Sequence, residues 1–472
     1  MTIWHQHSLA HQHNALSTGQ ISASELTEYY LQRIERFNPG LNAFVHVDPE
    51  YARRRAAAVD DQLAGPTATA LTGLASADKD LVHREGMPTR YGSALTADQP
   101  PADQSDPMAT WLDSVGAISV GKTATSEFGM AAASEALAMG PTKNPHDVSR
   151  SAGGSSGGAA AAVAAGMLPF APGSDGGGSI RIPALSCGLV GWKPSRGLVP
   201  AGSGFEFLGG LAVPGLITRS VEDLALAADL LVRGDWSWAT RAPGEPGSYL
   251  AGVTEGFTPR RIGWTSASPW PEDWAITPDP LALEAFSRAR DALVDAGHEL
   301  VECDWQPSRH YAEDFVTLWT ANAASLPVPE EARVALEPLT RFLIEEGMKV
   351  SGVQLVRALA GLRSFEQDTI STFGQFDAML TPGLNGPPPA LGWYDQVDAW
   401  RNFRQQVDIT PWTSFVNVAG LPAIAVPTTY SPEGLPAGAQ LVGNPGGDAT
   451  VMALAAQIES RLPEATRSPA GY

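Results

Sequence analysis

Cysteine and positive charge are both scarce in this chain of 472 residues. The two cysteines, Cys187 and Cys303, cannot build a disulfide framework, so we expect packed, reduced thiols and a cytoplasmic setting. Lysine and arginine total 31 against 51 aspartate and glutamate residues, a net charge of -20. A surface of this sign repels nucleic acid and anionic membranes at long range, so we expect neither as a partner.

Long apolar runs are also missing. The longest, at 159–165, consists of small residues and is soon broken by Gly166 and Pro169, so it is too short to span a bilayer. The amino terminus has no basic segment followed by an apolar one, and we therefore expect no signal peptide.

Histidines are few, and four of the nine crowd the amino terminus: His5, His7, His11 and His13. No carboxylate or thiol pattern completes a metal site around them. We interpret them as a solvated helix start, and we expect no metal and no other cofactor.

What the chain does contain is an alternation of helical and strand patterns. Residues 283–296 have helical periodicity, a short strand pattern follows at 298–304, and further buried strands are predicted at 261–264, 378–381 and 423–426. This alternation predicts an α/β fold around a mostly parallel or mixed sheet.

No repeat or low-complexity linker divides the chain, so we expect a single domain over 1–472. The region of about 305–400 looks like less regular, variable insertions, where substrate contacts often lie. Trp393 and Trp400 within it permit an aromatic or apolar pocket.

The stretch GAISVGKT at 116–123 fits the nucleotide-binding pattern G-x-x-x-x-G-K-[ST]. A phosphate loop needs a strand before it, whereas residues 111–115 are typical of a helix end. The isoleucine and valine inside the motif favour an extended conformation. We therefore interpret the stretch as a core strand rather than an ATP site.

Two serine motifs lack their partners. Ser119 and Lys122 fit S-x-x-K, but the S-D-N and K-T-G elements of penicillin-recognising enzymes are missing. Residues 153–157 fit the G-x-S-x-G nucleophile elbow, but only His298 and His310 follow, and neither lies in the usual late position after an acid.

A larger pattern covers more of the sequence. The segments SAGGSSGGAAAAV at 151–163 and GSDGGGSIRIP at 173–183 strongly resemble the signature of the amidase signature family. ADKD at 77–80 resembles the lysine segment of that family, and 188–194 and 420–427 match as well.

This resemblance runs from about residue 20 to 465, with the signature core at about 70–220. It implies the amidase signature fold, a central mixed β-sheet covered by helices on both faces. It also implies hydrolysis of a carbon-nitrogen bond in a small-molecule amide through an acyl-enzyme, and it allows a homodimer. Esters, carbamates and aryl or apolar substrates come within the same chemistry.

The resemblance further implies a triad of Ser179 as nucleophile, Ser155 as bridging cis-serine and Lys79 as base. Amide cleavage needs an activated nucleophile and a donor for the leaving amine. A lysine in water is protonated near pH 7, so this base must be buried.

Six further positions complete the implied site. The oxyanion would be bound by backbone amides of a glycine loop and of Ser179, and three side chains would support the substrate side. The loop residues are Gly176, Gly177 and Gly178, and the supporting residues are Ser156, Asp175 and Arg181. We favour an Arg181–Asp175 pair over a substrate carboxylate on Arg181.

Each match alone also has a structural interpretation. Glycine-serine runs are usually turns, Lys79 beside Asp78 and Asp80 could be a surface ion cluster, and Ser179 could cap a helix. Four matching segments in order favour the family. Two residues depart from its usual pattern: Asp78, which we expect on the opposite strand face from Lys79, and Gly176, which should loosen the loop.

Two other functions remain open at this point. The A subunit of a glutamyl-tRNA amidotransferase shares the triad but acts in a complex, and a binding protein could use the same fold without catalysis. The intact Lys79, Ser155 and Ser179 argue against the second.

Overall fold

Three sheets organise the chain in a computed structural model that describes residues 2–63, 68–199, 208–232, 248–254 and 258–472. The strands are β1 Phe44–Val47, β2 Ala75–Lys79, β3 Ile118–Thr123, β4 Lys143–Asn144, β5 Asp147–Ser151, β6 Phe170–Asp175, β7 Val190–Lys193, β8 Val213–Thr218, β9 Arg261–Trp264, β10 Glu299–Glu302, β11 Ala378–Pro382, β12 Ala423–Tyr430 and β13 Pro436–Gly443. The helices are α1 Leu9–Ser17, α2 Ala23–Leu41, α3 Pro49–Asp60, α4 Pro107–Ser114, α5 Gly157–Ala164, α6 Arg181–Ser186, α7 Val221–Leu231, α8 Tyr249–Thr254, α9 Pro280–Asp295, α10 Tyr311–Ala324, α11 Pro338–Gly347, α12 Gly352–Phe373, α13 Ala399–Ile409, α14 Ser414–Val418 and α15 Asp448–Arg461.

The main sheet has the order β10-β9-β11-β13-β12-β7-β8-β6. Strand β9 is parallel to both β10 and β11, and the other neighbouring strands are antiparallel. The prediction of a mixed sheet is therefore confirmed. The other option, a mostly parallel sheet, is wrong.

Helices cover both faces of this sheet, as predicted. Side chains alternate along β12, so Ile424 and Val426 join a first core with α7, α9 and α15. Ala423 lies on the other face and joins a second core with α10, α12 and α14. The second core surrounds the site described below.

A smaller sheet, β1-β3-β2, contains the stretch GAISVGKT. The predicted core strand is confirmed, since β3 is buried throughout. Gly121 is required there because an added Cβ would lie 2.1 Å from the carbonyl oxygen of His46 in β1. The Lys122 ammonium is buried and donates to Val82 O and Thr89 Oγ1, so the motif has a structural role.

The predicted strands and the helix at 283–296 are present as β9, β11, β12, β10 and α9. The expectation of less regular structure is wrong for about 305–362, because α10, α11 and part of α12 lie there, whereas no helix or strand lies between β11 and α13, at 383–398. The apolar spacing of Tyr311, Phe315 and Leu318 places one face of α10 in the second core. Residues 200–207 of the predicted signature core lie outside the described part of the chain.

The amino-terminal histidines differ from the prediction in one respect. His5 is buried and bonded to the Tyr29 hydroxyl, so it is not part of a solvated helix start. His7 and His11 stack at 4.1 Å. Among the described residues no cluster of three metal-binding side chains occurs, and none of the helices found there has the length and apolar character needed to span a bilayer.

Candidate active site

A lysine and a serine from separate elements meet at the centre of the site. Lys79 ends β2, and Ser155 lies just before α5. Each is only 1% exposed, and Lys79 Nζ donates to Ser155 Oγ at 2.8 Å. Lys79 Nζ also donates to Ser174 Oγ at 3.0 Å and to Ser174 O at 3.3 Å. The peptide bond between Gly154 and Ser155 is cis.

Two glycines at the start of α5 determine where Ser155 lies. A Cβ at Gly158 would be 2.2 Å from the backbone nitrogen of Ala124, directly after β3, so only glycine fits this contact. The Gly157 amide donates to Ser134 Oγ at 3.0 Å, and Ser134 Oγ donates to Ser155 O at 3.0 Å. The close approach of α5 therefore holds Ser155 against the sheet that carries Lys79.

Ser179 lies on the turn between β6 and α6. It is 9% exposed, more than Lys79 or Ser155, and it lines a cavity together with Ser155. The amide of Ser156 donates to Ser179 O at 3.1 Å, and Ser156 Oγ donates to Ser174 O at 3.4 Å. Ser156 thus links the start of α5 to the turn that carries Ser179.

A buried ion pair fixes the base of this turn. Arg181 donates from Nε to Asp175 Oδ2 and from Nη2 to Asp175 Oδ1, both at 2.9 Å, so the predicted pair is confirmed. Burial disfavours a charged Asp175, but the charge and hydrogen bonds of Arg181, together with Lys193 and Asn417, hold the pKa of this carboxyl well below its usual range. Arg181 is therefore occupied within the protein.

The backbone amides of the turn divide into two sets. Gly178 N donates to Asp175 Oδ1 at 2.7 Å, which leaves it engaged inside the loop rather than available to a ligand. The amides of Gly176, Gly177 and Ser179 have no hydrogen-bond partner among the residues that the structure describes. The predicted donor set loses Gly178 and keeps the other three amides.

The carboxylates beside Lys79 in sequence bind other groups. Asp78 Oδ2 accepts from Arg84 Nε at 2.5 Å and from Ser119 Oγ at 2.8 Å, in agreement with its predicted place on the opposite strand face. Asp80 accepts from the Arg90 amide. Burial raises the pKa of Asp80 to about 6. Lys79 therefore belongs to the protein interior and not to a surface ion cluster.

Two clefts meet at Ser179. The first also contains Ser155 and Gly176, and the second also contains Gly177. Aromatic and aliphatic side chains make up most of both walls: Leu81, Tyr91, Phe128, Met130, Ile182, Leu211, Trp270, Phe315, Trp319, Leu326, Phe403 and Val407. Their polar members are neutral, among them Asn322, Gln406 and Thr410.

The predicted aromatic pocket is built from other tryptophans than expected. Trp393 and Trp400 are 39% and 41% exposed and line neither cleft. Trp270 and Trp319 take that place. Trp400 stacks on Phe403 at 5.6 Å, behind the cleft wall, because α13 turns Phe403 inward at that point.

Sequence reasoning missed the side chains that brace the turn from the far end of the chain. Arg181 Nη1 donates to Gln440 Oε1 at 2.5 Å, and Asn417 Nδ2 donates to Asp175 O at 2.8 Å. Thr413 Oγ1 donates to Gly177 O at 2.6 Å. The only available signal was the nearby matching segment at 420–427, which did not single out these residues.

The remaining motif residues have structural roles. Cys187 is buried and burial raises the pKa of its thiol, as expected for a packed cysteine. Ser119 is bonded to Asp78. His298 Nδ1 accepts from the Arg260 amide at 3.1 Å, and its Nε2 contacts Gln457.

The chain is also similar to known proteins over nearly its whole length. A family model described as Amidase matches residues 25–452. The chain is 37% identical to the protein named "Putative amidase AmiB2" of Mycobacterium bovis, over 98% of this chain and 97% of that one. It is 31% identical to an acylamidase of Rhodococcus erythropolis, over 97% and 95% of the two chains. The solved structure of 6-aminohexanoate cyclic dimer hydrolase complexed with substrate covers 99% of each chain at 27% identity and a TM-score of 0.89.

Proposed function

The chain belongs to the amidase signature family and is a hydrolase of carbon-nitrogen amide bonds, and from this premise we propose that it cleaves small, uncharged amides through an acyl-enzyme on Ser179. The hydrogen bond of 2.8 Å between Lys79 Nζ and Ser155 Oγ carries the proposal. It joins the implied base to the implied relay in a buried setting, next to the serine that reaches the cleft.

Proton transfer follows the order Ser179, Ser155, Lys79. Once Lys79 is neutral, Ser155 gives it a proton and takes the proton of Ser179, whose Oγ attacks the substrate carbonyl. The same path in reverse delivers a proton to the departing amine. Water then repeats the attack on the acyl-enzyme, which releases the acid and restores Ser179.

The oxyanion of the tetrahedral intermediate binds to the amides of Gly176, Gly177 and Ser179. Thr413, which bonds to Gly177 O, and the Asp175–Arg181 pair hold the loop that presents these donors. Preorganised donors of this kind stabilise the transition state by about 3 kcal/mol each.

The cleft walls indicate the substrate class. Among the described lining residues of the two clefts at Ser179 none carries a charge, and most are aromatic or aliphatic. An uncharged amide with an aryl or apolar acyl group matches such a surface. Esters and carbamates with similar groups fit the same acyl transfer.

The uncharged cleft lining and the site residues also argue against the two alternative functions. Free glutamine carries an ammonium and a carboxylate that need charged partners once they leave water. The described cleft residues supply no such partner, so the A subunit of a glutamyl-tRNA amidotransferase is the weaker proposal. The intact set of Lys79, Ser155 and Ser179 argues against a purely binding role.

A fluorophosphonate probe tests the nucleophile without knowledge of the substrate. We expect one adduct by intact mass, mapped to Ser179, and its loss in Ser179→Ala and Lys79→Ala. Turnover of aryl and alkyl anilides should fall on the order of 10⁴-fold in Ser179→Ala. Ser119→Ala, in the rival S-x-x-K motif, is the matched control and should label normally.

An adduct on Ser155 or Ser119 would overturn the triad assignment. Hydrolysis of glutamine in preference to anilides would favour the amidotransferase subunit. As partners we propose the amide substrate and a second copy of the chain in a homodimer, and as compartment the cytoplasm, in line with the two buried free thiols Cys187 and Cys303.

A further inference from the structure

A chamber of 830 Å³ lies beside the first cleft, whereas the clefts at Ser179 measure 60 Å³ each. Tyr91 and Phe128 line both the chamber and the cleft that contains Ser155 and Ser179. These two side chains therefore form the partition between the chamber and the reacting groups.

The partition is a defined structure. The Tyr91 and Phe128 rings stack at 5.8 Å, and Phe128 N donates to Tyr91 O at 2.8 Å. The Tyr91 hydroxyl bonds to His83 Nε2 at 2.9 Å. Both partition residues have a left-handed backbone, with φ of 51° and 48°, which bulky residues rarely adopt. Strained backbone of this kind is typically retained at positions that serve a ligand.

The two clefts share Ser179, but only the first also contains Ser155. In the proposed reaction Ser155 protonates the departing nitrogen, so the amine half must lie on the Ser155 side. The cleft on that side shares Tyr91 and Phe128 with the chamber. The other cleft contacts Ser179 without Ser155 and ends in Trp270 and Phe403, which suits the acyl half.

From this arrangement, and resting on the proposed function, we infer that the chamber is the binding site for the leaving amine and that Tyr91 and Phe128 select which amines reach it. The chamber of 830 Å³ is much larger than the first cleft of 60 Å³, so the room for a long amine lies across the partition.

The walls of the chamber specify the chemistry of that amine. They contain the amides of Gln99 and Gln104, hydroxyl groups, prolines and one carboxylate, Asp103, and among the described lining residues neither lysine nor arginine occurs. An elongated aryl or alkyl amine without charged substituents therefore fits. An amine that carries a carboxylate, such as an amino acid, is disfavoured because Asp103 would repel it, and His83, the one basic side chain among the described lining residues, is already bonded to Tyr91.

The test compares two series of anilides. In one series the acyl group is constant and the amine grows from aniline to 4-phenylaniline, and in the other the acyl group grows while aniline is constant. The variant is Ala332→Trp, which places a bulky ring in the chamber wall away from the clefts. Ala335→Trp, in the same short helix but exposed and outside the chamber lining, is the matched control.

We expect Ala332→Trp to lower kcat/KM for 4-phenylanilides at least tenfold more than it lowers kcat/KM for anilides. Across the acyl series, the ratios of kcat/KM between substrates should stay as in wild type. A 4-carboxyanilide should be the poorest wild-type substrate of its length. Equal losses in both series, or a loss confined to the acyl series, would overturn the inference.

Fluorophosphonate labelling separates the role of the chamber from the proposed function. Normal labelling of Ala332→Trp with an unchanged preference among amines would rule out the chamber as the amine site and leave the triad intact. A wild-type protein that neither labels nor cleaves any anilide would overturn both. Phe128→Leu, which shortens the partition, is a second variant and should relax the discrimination between aniline and 4-phenylaniline.

Discussion

At the scale of single residues, the three consecutive glycines in the turn before α6 differ in whether they leave space for a side chain. An added Cβ at Gly176 would meet Ala212 at an ordinary 3.5 Å. At Gly178 the backbone is at φ +130°, and a Cβ would lie 2.6 Å from Ile182 Cδ1 and 2.7 Å from Thr413 Oγ1. Of these two positions, only Gly178 must be glycine for steric reasons.

Alanine substitutions at these two positions should therefore have opposite signs. Gly176→Ala should raise the free energy of unfolding by about 0.5 kcal/mol, because it restricts the unfolded chain. Gly178→Ala should lower it by about 2 kcal/mol through strain and overpacking. Guanidinium unfolding measures both, and equal destabilisation would show that the loop is tight throughout.

At the scale of secondary-structure elements, the carboxyl groups of Glu127 and Glu337 join α11 to the segments around Glu127 and Leu137. Glu337 precedes α11, and its amide donates to Glu127 Oε2 at 2.9 Å, while Glu337 Oε1 accepts from the Leu137 amide at 2.7 Å. Burial and then the nearby Glu127 raise the pKa of Glu337 to about 7, and burial also raises the pKa of Glu127. The contact between α11 and the segment around Glu127 is strongest when Glu337 is protonated.

Stability at this contact should depend on pH. The pKa of Glu337 is higher in the folded than in the unfolded chain, so its favourable contribution is complete below about pH 4.5 and is lost as the pH rises through 7. Glu337→Gln should match wild type at pH 4 and exceed it by about 1 kcal/mol at pH 8. Glu345→Gln, exposed on the same helix, is the control, and a pH-independent difference in urea midpoints would contradict the prediction.

How much of the site can be predicted depends on whether its residues lie in one segment. Ser155, Ser156 and Ser179 occur in glycine-rich runs that stand out from the rest of the sequence. Asn417 and Gln440 are single polar residues in a buried helix and strand, and nothing local distinguishes them from other satisfied polar groups. They act only because the fold brings them to Arg181 and Asp175.

Helices and strands with strong periodicity can be predicted from the sequence, whereas the residues that line the clefts at Ser179 cannot. The strand GAISVGKT and the helix at 283–296 carry their own pattern. The aromatic residues of α10 and α13 have the spacing of ordinary amphipathic helices, so the pattern does not say which of them line a cavity. The prediction of Gly178 as an oxyanion donor is wrong because the direction of an amide depends on the path of the whole turn.

At the scale of the whole molecule, we propose that the chain is one folding domain. The early strands β6, β7 and β8 and the late strands β9 to β13 form one continuous sheet, in which β7 pairs with β12. We therefore expect one calorimetric transition whose van't Hoff and calorimetric enthalpies agree. Two resolved transitions in differential scanning calorimetry would show independent units.

The hydrogen bonds of Asn417 and Gln440 to the Asp175–Arg181 pair also have a consequence for folding during protein synthesis. Asp175 and Arg181 leave the ribosome early, whereas their partners Asn417 and Gln440 follow 242 and 259 residues later. Until those late residues emerge, the buried pair lacks the amide groups that complete its hydrogen bonding. We therefore expect a nascent chain to gain activity only after translation has passed Gln440.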